Sequence, residues 1–397
     1  MKRLTRDPRP DWQARLDAVG IREPAYLADR GTHEREWDES GVYVFAHHEI
    51  DTLKEASERM REMVLDAVDA AVENPPIMDR MAIPPATQAL VVESWRRGER
   101  NLVGRYDWSF DGRGTPKLLE INAESPYGML LASRVQDEFR ADQYAEAPQW
   151  NSIERDITHA FERLRELRRR DVFFACDDAD AGLLHETSFI MDCARNAGRR
   201  VQLTSANDIG FDLSGRRFVD GEDRAIEYLY LYQPWSQVLD SELAEHFFED
   251  EPVNSVMLEP IWRFLVSNKA FLAWMWERFE GNELLLPTYV DHDPYADRLG
   301  ESYAQKPIYG NDGSNVTLYK NGEVLAENPD PESSTEDGFV YQMLWLLPDF
   351  ENRHPVCCTW EVADRFSGMS VHEGGLITDY FSPAVPHIVN DEWAVND

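Results

Sequence analysis

The sequence predicts a mixed chain, part α/β and part α+β, and three observations predict it. Two short alternating runs near residues 105 and 120 read as a β-hairpin, a strand, helix, strand order with a glycine stop follows near the middle, and the last third alternates short strands with turns. At 397 residues the chain exceeds the size at which one core keeps growing, so two or three packed domains are expected. An apolar content of 43% with 12 Trp, 18 Phe and 15 Tyr excludes a disordered chain.

Residues 51–73 place Leu53, Ala56, Met60, Met63, Val64, Ala67 and Val68 at helical spacing, with Asp51 as the expected cap. The hairpin follows. Gly104 to Phe110 and Lys117 to Asn122 flank a turn-rich Asp111-Gly112-Arg113-Gly114-Thr115-Pro116. Alternation assigns Tyr106, Trp108, Phe110, Leu119 and Ile121 to one face and Arg105, Asp107, Ser109, Glu120 and Asn122 to the other. If the six joining residues are the loop, Asp107 lies opposite Glu120 and Arg105 opposite Asn122. Opposed like charges destabilise a sheet, so two facing carboxylates beside an amide oxygen call for a cation. A hard divalent ion such as Mg²⁺ suits oxygen ligands that it shares with phosphates, and Arg105 is placed to hold a phosphate. A plain surface hairpin with scattered charges is the other reading of these residues.

A second helix is expected at about 152–170, its closing Arg168-Arg169-Arg170 matching the helix dipole. Val172 to Cys176 reads as a buried strand, 184–197 as a helix stopped at Gly198, and Val201 to Thr204 as the next strand. From Leu258 to Phe279 the pattern is helical and apolar, interrupted by Ser267-Asn268-Lys269. Further strands are expected at Tyr303 to Ile308, Phe339 to Leu346, Val356 to Val362, Phe366 to Val371 and Leu376 to Thr378, which makes the last third mostly antiparallel. Lys306 runs into a loop with Gly310 and Gly313, whose backbone amides are able to cover a triphosphate; the same residues also suit an ordinary hairpin turn.

The formal net charge of −34 is spread along the chain, with only six lysines. Such a surface repels nucleic-acid phosphates and anionic lipids, so no nucleic acid and no membrane is expected as a partner. A halophilic source, in which salt screens the self-repulsion, is one expectation; a merely acidic protein is the alternative. The first residues lack the apolar core of a signal peptide, no apolar run approaches membrane-spanning length, and Cys176, Cys193, Cys357 and Cys358 lack metal or redox spacing. A cytoplasmic protein with reduced thiols is the expectation, and oligomeric state is not readable.

Taken in order, Arg105-x-Asp107, Glu120 to Ala123, Ser267 to Ala270, Leu285 to Pro287, Lys306 to Ile308, Gly313-Ser314-Asn315 and Tyr341-Gln342 resemble the glutathionylspermidine synthase family. The similarity is nearest to stand-alone synthetase-like members without the amidase domain. It extends to Arg9-Pro10-Asp11-Trp12, Asp208-Ile209-Gly210 and Pro386-His387-Ile388, nearly the whole chain. The resemblance implies an ATP-grasp fold with a preceding pre-ATP-grasp-like α/β domain. It implies an ATP-dependent ligase that joins a peptide-like carboxylate to an amine through an acyl phosphate. It implies Mg²⁺ on Asp107, Glu120 and Asn122, with Arg105 catalytic on the transferring phosphoryl group. ATP would be bound by Arg105, Lys269, Lys306, Gly313, Ser314, Asn315, Tyr341 and Gln342, and the substrates by Ser125, Tyr127, Glu186 and His372. The expected divisions are 1–100 (N-terminal helical part), 101–169 (hairpin and helix with the Mg²⁺ site), 170–255 (small α/β domain) and 256–397 (nucleotide-binding subdomains). Three positions depart from the family pattern: His372 where an arginine is common, Trp235-Ser236 in place of Trp-Glu, and Tyr127 in place of a small residue. An ATP-binding protein without ligase turnover is the alternative these departures keep open.

Overall fold

The computed structural model describes residues 1–19, 21, 36–249, 252–291, 293, 296–331, 333–379 and 381–394. Two five-stranded antiparallel sheets and one four-stranded parallel sheet organise it, and a three-stranded sheet of Lys2–Thr5, Gly41–Phe45 and His387–Val389 joins the two chain ends.

The first antiparallel sheet runs in the order Ala384–Val385, Arg365–Gly374, His354–Val362, Val103–Ser109, Lys117–Asn122. The second runs Thr288–Val290, Phe339–Met343, Tyr303–Pro307, Val316–Lys320, Glu323–Asn328. The antiparallel last third is thus divided: its final long hairpin pairs with the 103–122 hairpin rather than with the strands just before it. The expected strand at Leu376 to Thr378 is a loop, held where the Thr378 carbonyl meets Gly313.

Within the 103–122 hairpin, Arg105 pairs with Asn122 and Asp107 with Glu120, the register the loop length predicts. Strict alternation fails one step further on. A bulge between Asp107 and Trp108 pairs Trp108 with Leu118, so Leu118 is buried in the core and Leu119 turns to the cavity beside Glu120.

The parallel sheet, in the order Val256–Met257, Tyr228–Leu231, Asp171–Cys176, Arg200–Ser205, carries the predicted βαβ unit, with helix Ala181–Asn196 as its crossover and Gly198 at φ +73° as the stop. Its faces are apolar on both sides: Val172, Phe174 and Cys176 pack with Phe189 and Ile190, while Phe173, Ala175, Leu229 and Leu231 pack toward the main core.

The helix expected from residue 51 begins earlier, as His47–Val72. Its cap is not Asp51. The Glu49 carboxylate accepts the Ala46 amide (2.8 Å) and Asp391 accepts the His47 amide (2.8 Å), satisfying donors that Asp51 is too far along the helix to reach. The helix expected at 152–170 ends as Ile153–Arg163 and continues as a 3₁₀ turn over Arg165–Arg169. The apolar run 258–279 forms two short helices, Arg263–Ser267 and Ala270–Arg278, separated at extended Asn268. The Asn268 side chain fixes that break by accepting the Ala270 amide (2.8 Å) and donating to the Met81 carbonyl (2.7 Å). No helix among the described residues is long and apolar enough to cross a membrane. All four cysteines are buried and unpaired.

Candidate active site

A cavity of about 910 Å³ opens between the two antiparallel sheets and continues to the parallel sheet. Its wall at the hairpin is built from Arg105, Asp107, Leu119, Glu120 and Asn122. Arg105 grips Asp107 with two parallel bonds, Nε to Oδ1 at 2.8 Å and Nη2 to Oδ2 at 2.9 Å, and its Nη1 donates to the Tyr127 carbonyl at 2.8 Å. The Asn122 amide donates to Asp107 (3.0 Å) and to Glu120 (3.3 Å). The paired carboxylates therefore sit together through an amide and an arginine, as their mutual repulsion requires.

The second sheet and the two-helix segment bring cations to the same place. Lys306 donates to Gln342 Oε1 (2.9 Å) and to the Leu119 carbonyl (3.2 Å), and Lys269 Nζ lies 3.3 Å from Glu120 Oε2 and bonds the Gly310 carbonyl. Lys269 stands at the start of helix Ala270–Arg278, the end where the dipole disfavours a cation, so an anion there would be doubly attracted. Burial would push the Glu120 carboxyl up, but Lys269, Lys306 and Arg105 hold it down at about 2. Burial pushes the Lys306 ammonium down to about 8 against the pull of Glu120. Among the described residues no three His, Cys, Asp or Glu side chains converge as a complete metal cage. Asp107 and Glu120 form a partial oxygen set with the Asn122 amide nitrogen turned to both, and they fit an ion such as Mg²⁺, which completes its shell with water and phosphate, once the Asn122 amide turns its oxygen inward.

Asn311, Asp312 and Gly313 cover the other side of the cavity. Gly313, at φ +67°, has no room for a side chain: a Cβ there would sit 2.5 Å from the Thr378 carbonyl. Leu286, Ala304, Val316, Leu318 and Met343 make an apolar slot beside Gln342. Lys269, which reaches the site only through Glu120, and Ser314, Asn315 and Tyr341 lie outside the cavity lining. The Asn315 side chain instead clamps Asp330 and Ser333 backbone, and the Tyr341 ring packs edge-on against Tyr303.

Beyond the hairpin, Ser125 (φ +43°) and Tyr127 line the cavity, as does His372. His372 Nδ1 lies 3.4 Å from the Ser382 carbonyl, and burial together with Arg105 lowers the imidazole to about 4, so it is neutral near pH 7. Glu186 is outside the lining; its carboxylate is taken by the backbone amides of Gly128 (3.2 Å), Met129 (3.0 Å) and Leu130 (3.3 Å), and burial pushes it up to about 8.

Several lining residues escaped sequence reasoning. Asp177, Ala206 and Tyr232 each follow the last residue of a parallel strand, the position where open α/β sheets bind ligands, and that rule was available once the βαβ unit was recognised. Glu124, between the hairpin motif and Ser125, also lines the cavity and accepts the Trp235 amide at 2.9 Å, with burial pushing it up to about 7.

Residues 3–390 match the family described as glutathionylspermidine synthase preATP-grasp. The chain belongs to the glutathionylspermidine synthase family. Within it, the chain is 30% identical over 98% of its length to a Haemophilus influenzae protein named "putative acid–amine ligase", of which it covers 99%. It is 24% identical over 89% of its length to the bifunctional glutathionylspermidine synthetase/amidase of Escherichia coli, and spans 60% of that protein. Among solved structures, a glutathione synthetase-like effector of Globodera pallida in the apo form superposes with a TM-score of 0.53 at 12% identity, covering 87% of this chain and 89% of that one. The fold is therefore of the ATP-grasp type, and family membership makes the chain an enzyme of the carbon–nitrogen, acid–amine ligase class.

Proposed function

We propose that the protein is an ATP- and Mg²⁺-dependent carboxylate–amine ligase that forms an amide through an acyl phosphate. The observation that carries this reading is the convergence, at one end of one cavity, of Arg105, Asp107, Glu120 and Asn122 from one sheet with Lys306, Gly313 and Gln342 from the other. Opposed carboxylates ringed by buried cations suit phosphoryl transfer, which proteins catalyse by positioning and by charge placed where charge accumulates.

In this reading the adenine occupies the apolar slot beside Gln342, and the triphosphate runs past Lys306 and the 311–313 loop toward Lys269 and Arg105. A Mg²⁺ held by Asp107, Glu120 and Asn122 would supply neutralising charge to the phosphates. The acid, against Ser125 and Tyr127, attacks the γ-phosphorus through a carboxylate oxygen while the bond to ADP breaks and Arg105 faces the charge on the phosphoryl oxygens. The amine nitrogen then attacks the acyl carbon, the amide bond forms, and inorganic phosphate leaves with the former carboxylate oxygen. His372, neutral at the position where the family pattern has arginine, contributes no fixed charge, which supports an acid or amine different from those of the family's named members.

The test is a two-step screen. Thermal melts with and without Mg·ATP come first, then ADP release over a matrix of small acids, peptide acids and amines. Stabilisation by Mg·ATP with ADP release for at least one acid–amine pair is the expected result. Stabilisation without turnover for any pair would favour an ATP-binding protein with a regulatory or scaffolding role, and no stabilisation at all would sink nucleotide binding itself.

A further inference from the structure

We infer that Glu186 is a positioning residue for the phosphoryl end of the cavity, acting from the parallel-sheet unit through the 126–130 backbone on Arg105. The inference rests on the ligase reading above.

The geometry forms a chain of fixed contacts. Glu186 lies on helix Ala181–Asn196, 2% exposed, and receives three consecutive backbone amides, Gly128, Met129 and Leu130, into one carboxylate. Two residues before these amides, the Pro126 carbonyl accepts the Tyr232 hydroxyl at 3.0 Å, from the loop after the parallel strand Tyr228–Leu231. Between the two anchors sits Tyr127, whose carbonyl receives Arg105 Nη1 at 2.8 Å. The Tyr127 ring is seated on the same helix one turn before Glu186: a Cβ at Gly182 would stand 2.7 Å from the Tyr127 hydroxyl.

Arg105 has five donors. Asp107 takes two N–H directions and the Tyr127 carbonyl fixes a third, so the orientation of the fork depends on where the 126–130 segment is held. Segment 126–130 is held at both ends by the parallel-sheet unit and touches the hairpin through Arg105. Without Glu186, three buried amides lose their acceptor, a cost that local rearrangement of the segment would relieve by moving the Tyr127 carbonyl. Arg105 then keeps its charge and its pairing with Asp107 but loses the direction of its third nitrogen. The consequence is specific: an interaction with the terminal phosphate weakens, and one with the rest of the nucleotide does not.

Binding of Mg·ADP and of the non-hydrolysable Mg·AMPPNP, measured by calorimetry on the full chain, separates these terms without requiring the acid or the amine. Glu186→Ala is expected to lose about tenfold in AMPPNP affinity while ADP affinity stays within about twofold. Glu186→Gln, which keeps one acceptor oxygen, is expected between Glu186→Ala and the parent. Arg105→Ala is expected to show the same selective loss, and the double variant to be no worse than Arg105→Ala alone, because both act through one group. Equal losses for both nucleotides, an unchanged preference for the triphosphate, or full additivity in the double variant would overturn the positioning role while leaving the ligase reading in place. Failure of the parent protein to bind either nucleotide would overturn the ligase reading, and the positioning role with it.

Discussion

His387 is fully buried between the two chain ends, edge-on to Phe45, and neither ring nitrogen has a hydrogen-bond partner among the described residues. Burial lowers its imidazole from the ordinary value to about 4. The sign of the pH effect follows: the unfolded chain takes up a proton near pH 6.5 before the folded one does, so stability is full above that pH and falls as pH drops toward 4. The loss from this one residue is on the order of 3 kcal/mol. His387→Leu removes two unsatisfied nitrogens, so it is expected to be neutral or stabilising at pH 7 and to flatten the decline of the melting temperature between pH 6.5 and 4.5. A variant with the parent's acid slope would show that His387 is not the titrating group. In the sequence His387 stands out only inside a motif, because nothing in a linear pattern reveals that the strand His387–Val389 pairs in parallel with Gly41–Phe45 near the other end of the chain. Asp107 and Glu120 are the opposite case: loop length and alternation alone place them face to face, and the register agrees. Leu119 marks the limit of that method, since a bulge shifts the alternation by one and no residue in the strand announces it.

Among the elements, the two-helix segment 263–278 is tied to the hairpin by Arg263, Ser267 and Lys269, of which Arg263 is the most deeply buried. Arg263, 1% exposed, donates to the carbonyls of Ala123 (3.0 Å) and Val103 (3.3 Å) and to Glu361 (3.2 Å), and Ser267 accepts the Ala123 amide at 3.0 Å. This crossing requires Gly104, where a Cβ would stand 2.2 Å from Arg263 Nη2. Gly104→Ala is expected to cost about 3 kcal/mol, because the guanidinium has no solvent to retreat to and its displacement strips the buried Glu361 of one of its two arginine partners, leaving Arg61 alone. A chemical-denaturation midpoint close to the parent's would refute that dependence. The same link sets Lys269 against Glu120, so surviving Gly104→Ala protein is also expected to bind nucleotide more weakly. Helix and strand positions were largely legible from periodicity, as the predicted 172–176, 184–197 and 201–204 elements match Asp171–Cys176, Ala181–Asn196 and Arg200–Ser205. Sheet membership was not, because pairing between residues 105 and 360 depends on long-range packing that no local pattern records.

At the scale of the whole molecule, a net charge of −34 repels itself, and the acidic lining at Asp177, Asp180 and Asp312 extends that field into the cavity. We expect the melting temperature to rise by several degrees or more between low salt and molar KCl, and an unchanged melt would remove the halophile expectation. The cavity is where the three sheets meet, so its composition is a property of the assembly: the hairpin supplies carboxylates and Arg105, the second sheet Lys306 and Gln342, and the parallel-strand ends the far wall, while Lys269 at the helix break pairs with Glu120 from outside the lining. The hairpin, lysine and Tyr-Gln contributions were visible in the sequence as separate motifs, the parallel-strand ends were not, and only the fold makes them one site. The measurement that bears most directly on this account is calorimetric titration of AMPPNP, with and without Mg²⁺, into the parent protein, Glu120→Gln and Lys306→Met. The account predicts Mg²⁺-dependent binding by the parent that weakens about tenfold or more in each variant, whereas binding indifferent to Mg²⁺ and to both substitutions would contradict it.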